Sequence, residues 1–216
     1  MKSLRKIHDL RSPMREERLL EKNLPASPLS QFDLWMKKAI DQGNPEPTAM
    51  TLATTDRKGK PSARVVLLKG YNEKGFVFFT NYKSRKANEL GINNFASLVF
   101  YWHEIHKQIR IEGKVKLISA GESDEYFESR PRESQIGALA SSQSKIAAGR
   151  NVIEERFEFF RKKFEGKKIP RPANWGGYRL VPDYFEFWQG RENRLHDRIV
   201  YKKLSGNKWK RFRLFP

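Results

Sequence analysis

The sequence predicts a mainly β protein of the α+β type, most simply an antiparallel barrel with helices around it. Between six and eight short β-rich runs follow one another along the chain, and short turns such as DRKG and NEKG join the first of them. The segments with helical periodicity are short and stand between or beside these runs. Such an order of elements favours one sheet closed or half closed on itself, with peripheral helices.

The N-terminal part of the chain changes character at Ser27. Residues 1–26 are rich in charge and lack a sustained apolar face, so we expect a mobile arm with one short helix, followed by a single domain at 27–216. After Ser27, apolar residues recur at helical spacing and predict an amphipathic helix to about Gln42. These residues are Phe32, Trp35, Met36, Ala39 and Ile40.

Strand-like sequence begins at 49–55 and continues at 62–71 and 76–81. DRKG separates the first two runs and NEKG the second two. Because turns this short join β-rich runs, the three segments predict an antiparallel meander.

A short helix interrupts the meander, and Ser84 has the side chain of its N-cap in SRKANELGIN. Strand-like sequence resumes at 95–102 and 107–119. A helical stretch then covers residues 122–140, and Pro131 should divide it because proline cannot continue a helix.

The last third of the chain predicts one more helix and three more strands. Ile153, Phe157, Phe160 and Phe164 form one apolar stripe, which is first of all a packing face. The strands are predicted by DYFEFWQG, RLHDRIVYKKL and KWKRFRLF, with SGN as the turn between the last two.

The formal charge of +18 makes a nucleic-acid-binding protein the first alternative function. The distribution of charge weakens this alternative, because the basic residues are spread along the chain among 25 acidic ones. Only residues 202–213 form a concentrated basic cluster, and no zinc-finger or RNP-like pattern occurs.

The residues that are missing exclude several kinds of site. Without cysteine there is no disulfide, thiolate nucleophile, Cys-ligated zinc or iron–sulfur cluster. No G-x-G-x-x-G, Walker A or G-x-S-x-G motif occurs, and His103 with His106 lacks a third ligand, so no metal is expected. No apolar run approaches 18 residues and no secretory signal begins the chain, so we expect a cytoplasmic protein without a membrane span.

Arg194, His196 and Arg198 occupy alternate positions just before the apolar run IVY. On a strand, this spacing would place two guanidiniums and an imidazole on one face. An anionic ligand would explain such a cluster, since arginine matches phosphate oxygens in pairs. A solvated strand face at the end of a hairpin remains the alternative.

Two further pairs of cations fit a phosphate-binding role. Arg64 and Lys69 bracket the apolar strand sequence RVVLLK, and their spacing on a regular strand directs them to opposite faces. Arg85 and Lys86 stand in the first turn of the predicted SRKANEL helix. Cations there oppose the helix dipole, and a bound anion would relieve this cost.

The fourth cluster is Tyr126, Arg130 and Ser134. Tyr126 and Arg130 are four residues apart and share a helix face, whereas Ser134 follows the proline break. Each cluster alone could be a solvated surface. Together, beside aromatic and apolar strands, the four clusters predict sites for two phosphates and a flat ring.

Several long motifs occur in one order along the chain: RVVLLKGYNEKGFVFFTNYKSRKANEL, YFESRPRESQIGA, SSQS, WGGYRL and EFWQGRENRLHDR. In these motifs the chain resembles the pyridoxamine (or pyridoxine) 5′-phosphate oxidase family over about residues 27–216. The resemblance implies a split β-barrel of the FMN-binding type that works as a homodimer. It also implies oxidation of pyridoxamine or pyridoxine 5′-phosphate by O2 to pyridoxal 5′-phosphate. Hydrogen peroxide is released, and ammonia is released from the amine.

The same resemblance implies roles for individual residues. The residues implied to hold FMN, some of them from the partner subunit, are Arg64, Val65, Val66, Leu67, Leu68, Lys69, Phe79, Thr80, Arg85, Lys86, Gln108, Gln143, Ser144, Trp188 and Arg198. Those implied for the substrate phosphate are Lys69, Tyr126, Arg130 and Ser134. Arg194 and His196, with Leu195 between them, are implied to lie at the pyridine ring as the catalytic pair.

The N-terminal segment departs from the family pattern. Family members carry an Arg-x-x-Tyr element that closes over the substrate, and this chain has Arg11 but Met14 in the tyrosine position. Methionine offers only soft apolar contact, so the contribution of this segment to closure is open. Another split-barrel flavoprotein with a different substrate, or a flavin- or haem-binding relative without oxidase activity, is the second alternative function.

Overall fold

The structure is a computed structural model that describes residues 17–206 and 208–216. Arg11 and Met14 therefore lie outside the described residues. The chain divides into two compact units, which are treated separately below. The central unit comprises Thr48–Phe100 and Ile111–Asp183, and the terminal unit comprises the segment up to Pro47 with Tyr101–Arg110 and Tyr184–Pro216.

Helices and strands follow the order expected from the sequence. The helices of the described residues are α1 (Pro28–Asp41), α2 (Arg85–Ile92), α3 (Ala120–Ser129), α4 (Arg132–Ala140) and α5 (Arg150–Lys163). The strands are β1 (Ala49–Thr55), β2 (Pro61–Leu67), β3 (Gly70–Asn72), β4 (Gly75–Asn81), β5 (Phe95–Trp102), β6 (Lys107–Leu117), β7 (Trp175–Gln189), β8 (Asp197–Lys203) and β9 (Trp209–Leu214).

The strands hydrogen-bond in the order β2-β1-β5-β6-β7-β4-β3, and β8 pairs with both β7 and β9. In the central unit β1 runs antiparallel to β2, with Leu52 opposite Arg64, and β4 runs antiparallel to β7. In the terminal unit β8 lies antiparallel to β7, with Arg198 opposite Trp188. An antiparallel sheet with separate helices confirms the predicted mainly β class.

Helix α1 begins where the sequence predicts. Ser27 Oγ accepts hydrogen bonds from the backbone N–H groups of Leu29 (3.2 Å) and Ser30 (3.5 Å), and Pro28 occupies the first turn. In the apolar stripe of α1, Phe32, Trp35, Met36 and Ala39 are buried and Ile40 is exposed, and Trp35 meets Phe187 edge to face at 5.3 Å. Burial of this stripe supplies most of the stability of a helix of this length.

The run 62–71 was predicted as one strand, and this is wrong: β2 ends at Leu67 and β3 begins at Gly70. The cause is a change of hydrogen-bonding partner. Leu68 N–H donates to Thr48 at 2.9 Å, whereas Lys69 N–H donates to Val77 of β4 at 2.9 Å. The alternation of faces therefore does not extend from Arg64 to Lys69.

The predicted strand from Arg194 to Arg198 is also wrong, because β8 begins only at Asp197. Residues Glu192–Arg194 form a 3-10 turn, in which Leu195 N–H donates to Glu192 at 3.1 Å. Asn193 and Arg194 have positive φ angles of 54° and 60°. Two left-handed residues in succession interrupt an extended strand, so Arg194 and His196 do not share a strand face with Arg198.

The described residues of the predicted arm belong to the terminal unit and hydrogen-bond to its strands β8 and β9. Leu19 N–H donates to Asp197 Oδ2 at 3.0 Å, Arg213 pairs with Glu21 at 2.7 Å, and Tyr201 donates its hydroxyl to Pro25 O at 2.8 Å. The division into an arm and one domain remains a prediction.

Within residues 17–206 and 208–216, no helix is both long and apolar enough to cross a membrane. The same part of the chain contains no group of three or more His, Cys, Asp or Glu side chains arranged to hold a metal ion.

Candidate active site

The central unit contains a cleft of about 310 Å³, a size typical of small-molecule sites. It lies beside β2, β4 and the helices α2 and α3. Its lining residues are Val65, Val66, Leu67, Lys69, Phe79, Thr80, Lys86, Tyr126, Arg130, Gln143 and Trp175. Ten of these eleven residues were predicted from the sequence as binding residues; only Trp175 was not.

One wall of the cleft is a stack of three aromatic rings. Phe79 stacks on Tyr126 at 3.9 Å between ring centroids, and on Trp175 at 5.3 Å. The Arg130 guanidinium lies over Trp175, with Cζ at 4.7 Å from the ring centroid. This cation–π contact fixes the guanidinium without neutralising its charge.

Arg130 keeps an unused hydrogen-bond donor. Its Nη1 atom is buried and has no hydrogen-bond partner among the described residues. Burial lowers the pKa of this guanidinium, and the Tyr126 phenol partly offsets the effect. A buried donor without a partner is costly, and an anionic oxygen entering the cleft would satisfy it.

Lys86 supplies a second cation, on the first turn of α2. Its side chain is buried, and Nζ donates to Gln143 Oε1 at 3.0 Å and to Thr80 Oγ1 at 3.2 Å. Burial, and secondly the charge of Arg64, lower the pKa of this ammonium group. No carboxylate lies within ion-pair distance of Nζ among the described residues, so the site fits an anion.

The two arginines nearest Lys86 in the predicted set are held by one carboxylate. Glu89 pairs with Arg85 at 2.8 Å and with Arg64 at 3.3 Å. Arg64 also donates to Thr54 Oγ1 and to Ser62 Oγ, both at 2.5 Å. The side chain of Arg64 is therefore fixed from three sides beside the cleft.

Some predicted residues of the central unit do not line the cleft. Leu68 is buried, and Ser134 is half-buried in the first turn of α4. Arg85 and Ser144 border a second hollow of about 410 Å³, where Ser144 has a positive φ of 69°.

In the terminal unit, the imidazole of His196 rests against Trp188, with 4.7 Å between ring centroids. His196 Nδ1 accepts a hydrogen bond from Arg191 N–H at 3.0 Å. Burial, and secondly the charge of Arg194, lower the pKa of His196. The neutral ring therefore carries its proton on Nε2, which is free to donate to a ligand.

Arg198 is held on β8 by a buried carboxylate. Its Nε pairs with Glu186 Oε1 at 2.8 Å, and Arg110 pairs with the other oxygen of Glu186 at 2.7 Å. Burial alone would raise the pKa of Glu186, but the hydrogen bond from Arg198 and the charge of Arg110 outweigh it and lower the pKa. Of the other predicted residues in this unit, Gln108 is half-buried on β6, and Arg194 and Leu195 are exposed.

Three residues beside the predicted sites were missed from the sequence. Glu89 stands four residues after Arg85, and this spacing on a helix could have indicated the pair. Trp175 begins the motif WGGYRL, but its ring contacts come from residues 48 to 96 positions away. No local pattern indicated Glu186 as the partner of two arginines.

Comparisons with known proteins give a consistent result. Residues 36–163 match the family described as "Pyridoxamine 5′-phosphate oxidase", and residues 175–216 match the "Pyridoxine 5′-phosphate oxidase C-terminal dimerisation region". A pyridoxine/pyridoxamine 5′-phosphate oxidase of Cyanothece sp. is 51% identical over 210 residues, covering 97% of this chain and 98% of the relative. The enzyme of that name from Paraburkholderia phymatum is 56% identical over 190 residues, covering 88% of this chain and 89% of the relative.

Solved structures confirm the split-barrel fold class. PhzG from Burkholderia lata 383, solved in complex with tetrahydrophenazine-1-carboxylic acid, matches with a TM-score of 0.86 and 31% identity, covering 93% of this chain and 98% of PhzG. A pyridoxamine 5′-phosphate oxidase-related, FMN-binding protein from Nostoc punctiforme matches with a TM-score of 0.70 at 15% identity, covering 89% and 100%. At that identity the second match concerns the fold alone.

Proposed function

This chain belongs to the pyridoxamine 5′-phosphate oxidase family, and from that premise we propose that it oxidises pyridoxamine 5′-phosphate or pyridoxine 5′-phosphate to pyridoxal 5′-phosphate. FMN is the proposed cofactor and O2 the final oxidant. The products are pyridoxal 5′-phosphate and hydrogen peroxide, with ammonia released from the amine. The role in the cell would be the synthesis and salvage of this coenzyme.

One observation supports this proposal more than any other: two cations in the same cleft, the buried Lys86 and the half-buried Arg130, can each bind an anion. Lys86 has only neutral partners among the described residues, and Arg130 has an unpaired Nη1. The reaction requires two phosphates, one on FMN and one on the substrate. Two separate cationic positions beside a stacked aromatic wall suit a phosphorylated flavin and a phosphorylated pyridine.

The residues proposed to hold FMN fit that group. Lys86 with Arg64 and Arg85 would bind its phosphate, and Thr80 and Gln143 offer polar atoms beside Lys86. The segment from Val65 to Leu67 and the ring of Phe79 supply an apolar border. Bound FMN would supply the chemistry, by accepting a hydride from C4′ of the substrate and passing the electrons to O2.

The remaining side chains would bind and orient the substrate. Arg130 and Lys69 would bind its phosphate, with Tyr126 and Ser134 as hydrogen-bond donors. Burial raises the pKa of the Tyr126 phenol, although Arg130 lowers it in part, so the hydroxyl keeps its proton and can donate.

Arg194 and His196 would lie at the pyridine ring and form the catalytic pair. The cation of Arg194 would stabilise negative charge that develops on the pyridine as hydride departs, and His196 Nε2–H would donate a hydrogen bond. Leu195, and Arg11 from the N-terminal segment, would complete the substrate site. Correct positioning of the reacting atoms can lower the barrier by about 7–11 kcal/mol.

We further propose a homodimer with FMN at the subunit interface, to which Trp188, Arg198 and Gln108 contribute. The match of residues 175–216 to a dimerisation region supports this assembly.

The test is a turnover assay on the purified full-length chain. We expect a yellow protein with the absorbance of oxidised flavin, which forms pyridoxal 5′-phosphate and peroxide in equal amounts when given pyridoxamine 5′-phosphate and O2. A flavin-containing protein that forms no pyridoxal 5′-phosphate would point to a different substrate in the same fold. A colourless protein that retains nucleic acid through purification would favour the polyanion-binding alternative.

A further inference from the structure

Glu89 is a buried carboxylate for which the resemblance implies no role. It lies on α2 with 4% of its surface exposed, facing β1 and β2 of the same unit. Its Oε2 atom accepts hydrogen bonds from Thr54 Oγ1 at 2.5 Å and from Ser62 Oγ at 2.6 Å. Its two oxygens also receive Arg64 Nη2 at 3.3 Å and Arg85 Nε at 2.8 Å.

These contacts keep the carboxylate charged. Burial alone would raise the pKa of Glu89, but hydrogen bonds from Ser62, Thr54, Arg85 and Arg64 outweigh it and hold the pKa at about 2. The carboxylate is therefore ionised at every pH at which the protein would work.

The same contacts fix both guanidiniums. Arg64 donates to Thr54, Ser62 and Glu89 at once, so its planar group has one orientation. Arg85 is more exposed. Its Nε atom forms an ion pair with the same carboxylate, which leaves the terminal nitrogens of its guanidinium for another partner. Loss of the Glu89 charge would remove the ion pair of Arg85 and one of the contacts that orient Arg64.

The cluster formed by Arg64, Arg85, Lys86 and Glu89 has a net positive charge. Glu89 neutralises one of the three cations Arg64, Arg85 and Lys86, so a net charge of +2 remains. A phosphate monoester carries about 1.5 to 2 negative charges at neutral pH, so the cluster still attracts it.

We propose that Glu89 is a positioning residue for the phosphate of the flavin, because it holds Arg64 and Arg85 in the orientation in which they bind that phosphate beside Lys86. The inference rests on the proposed function, since it takes FMN as the cofactor.

The test compares the binding of two flavins to the full-length protein after its own flavin has been removed. FMN carries the phosphate and riboflavin does not, and quenching of flavin fluorescence gives both dissociation constants. Glu89→Gln preserves shape and removes the charge. We expect FMN to bind about tenfold more weakly, which corresponds to about 1.4 kcal/mol, and riboflavin to bind as it does to the unaltered protein.

Two more variants sharpen the comparison. Glu154→Gln is the matched control, because Glu154 forms the same kind of i,i+4 pair with Arg150 at 2.7 Å on exposed α5, and it should leave both constants unchanged. Ser62→Ala removes one hydrogen-bond donor to Glu89 without changing any charge. It should weaken the binding of FMN two- to threefold, which corresponds to about 0.4–0.7 kcal/mol. It keeps the inference testable if Glu89→Gln does not fold.

Three results would overturn the inference. If Glu89→Gln binds FMN as tightly as the unaltered protein or more tightly, then Glu89 does not hold the arginines in a binding orientation. If the dissociation constants of FMN and riboflavin rise by the same factor, Glu89 only stabilises the position of α2. If the unaltered protein binds neither flavin, the proposed function is wrong and this inference falls with it.

Discussion

At the scale of single residues, the proposed function depends on different roles for two cations, the buried Lys86 and the half-buried Arg130. Lys86 and Arg130 line one cleft, but their surroundings differ. Lys86 lies among polar side chains beside Arg64, whereas Arg130 lies over the ring of Trp175. We therefore assign the flavin phosphate to Lys86 and the substrate phosphate to Arg130.

This division predicts opposite effects for two substitutions. Arg130→Ala should raise KM for pyridoxamine 5′-phosphate ten- to a hundredfold with bound FMN retained, because a charge-assisted contact contributes on the order of 1.5–3 kcal/mol. Lys86→Ala should weaken FMN retention instead. Arg132→Ala is the control, since this exposed neighbour does not line the cleft and donates to backbone carbonyl groups such as that of Lys167 at 3.1 Å. Equal loss of flavin in both test variants would show that the assignment is wrong.

Arg194 and His196 should affect the reaction in different ways. Arg194→Lys keeps the charge but loses the planar fork, so kcat/KM should fall, and Arg194→Ala should lower it further. His196→Asn should weaken substrate binding more than it lowers turnover, with an unchanged flavin spectrum throughout. If Arg194→Ala and His196→Asn keep the rates and affinities of the unaltered enzyme and only their melting temperatures fall, the two residues have a structural role.

The lowered pKa of His196 also predicts a pH effect with a definite sign. The ring is neutral at pH 7, because its pKa lies below the ordinary histidine value of 6.5. As the pH falls through the lowered pKa, Nδ1 gains a proton and can no longer accept from Arg191 N–H. The kcat/KM profile should decline on the acid side, and the decline should be weaker in His196→Asn. If kcat/KM declines equally at acid pH in the unaltered enzyme and in His196→Asn, the titrating group is a different residue.

At the scale of elements, the turn before β8 determines where Arg194 and His196 lie. Asn193 and Arg194 adopt left-handed backbone angles, which cost a β-branched residue roughly 1–2 kcal/mol. Asn193→Gly should therefore preserve melting temperature and kcat/KM, whereas Asn193→Val should lower both. Thermal unfolding and steady-state kinetics measure the two effects. A fully active and stable Asn193→Val enzyme would contradict this role of the turn.

The elements also show what the sequence could and could not predict. Helices α1 and α2 were predicted, α2 with its N-cap Ser84, because apolar periodicity and a capping serine are local signals. The left-handed turn was missed because the alternation of Arg194, His196 and Arg198 favoured a strand, although asparagine at position 193 tolerates a positive φ. The break after β2 was missed because it depends on a change of partner from β1 to β4.

The residues of the candidate site also differ in whether the sequence could predict them. Most residues of the cleft were predicted through the long motifs in which they occur. The carboxylates Glu89 and Glu186 were not. The pairs of Arg64 with Glu89 and of Arg110 with Glu186 join residues that are distant in sequence, and the local i,i+4 pair of Arg85 with Glu89 was overlooked. Long-range pairing follows from strand order, which a pattern of single residues does not contain.

At the scale of the whole molecule, the proposal requires a dimer. Residues 175–216 match a dimerisation region, and the proposed flavin residues extend along the chain from Arg64 to Arg198. We expect sedimentation to give a homodimer with one FMN per subunit. A monomer with full FMN occupancy would exclude an interfacial cofactor site.

The central claim is that this protein transfers a hydride from a phosphorylated B6 vitamer to bound FMN. Anaerobic stopped-flow mixing of the purified protein with pyridoxamine 5′-phosphate measures that step directly. The account predicts loss of the oxidised flavin absorbance and formation of one pyridoxal 5′-phosphate per flavin, with the absorbance restored by O2. A flavin that stays oxidised at saturating pyridoxamine and pyridoxine 5′-phosphate would contradict it.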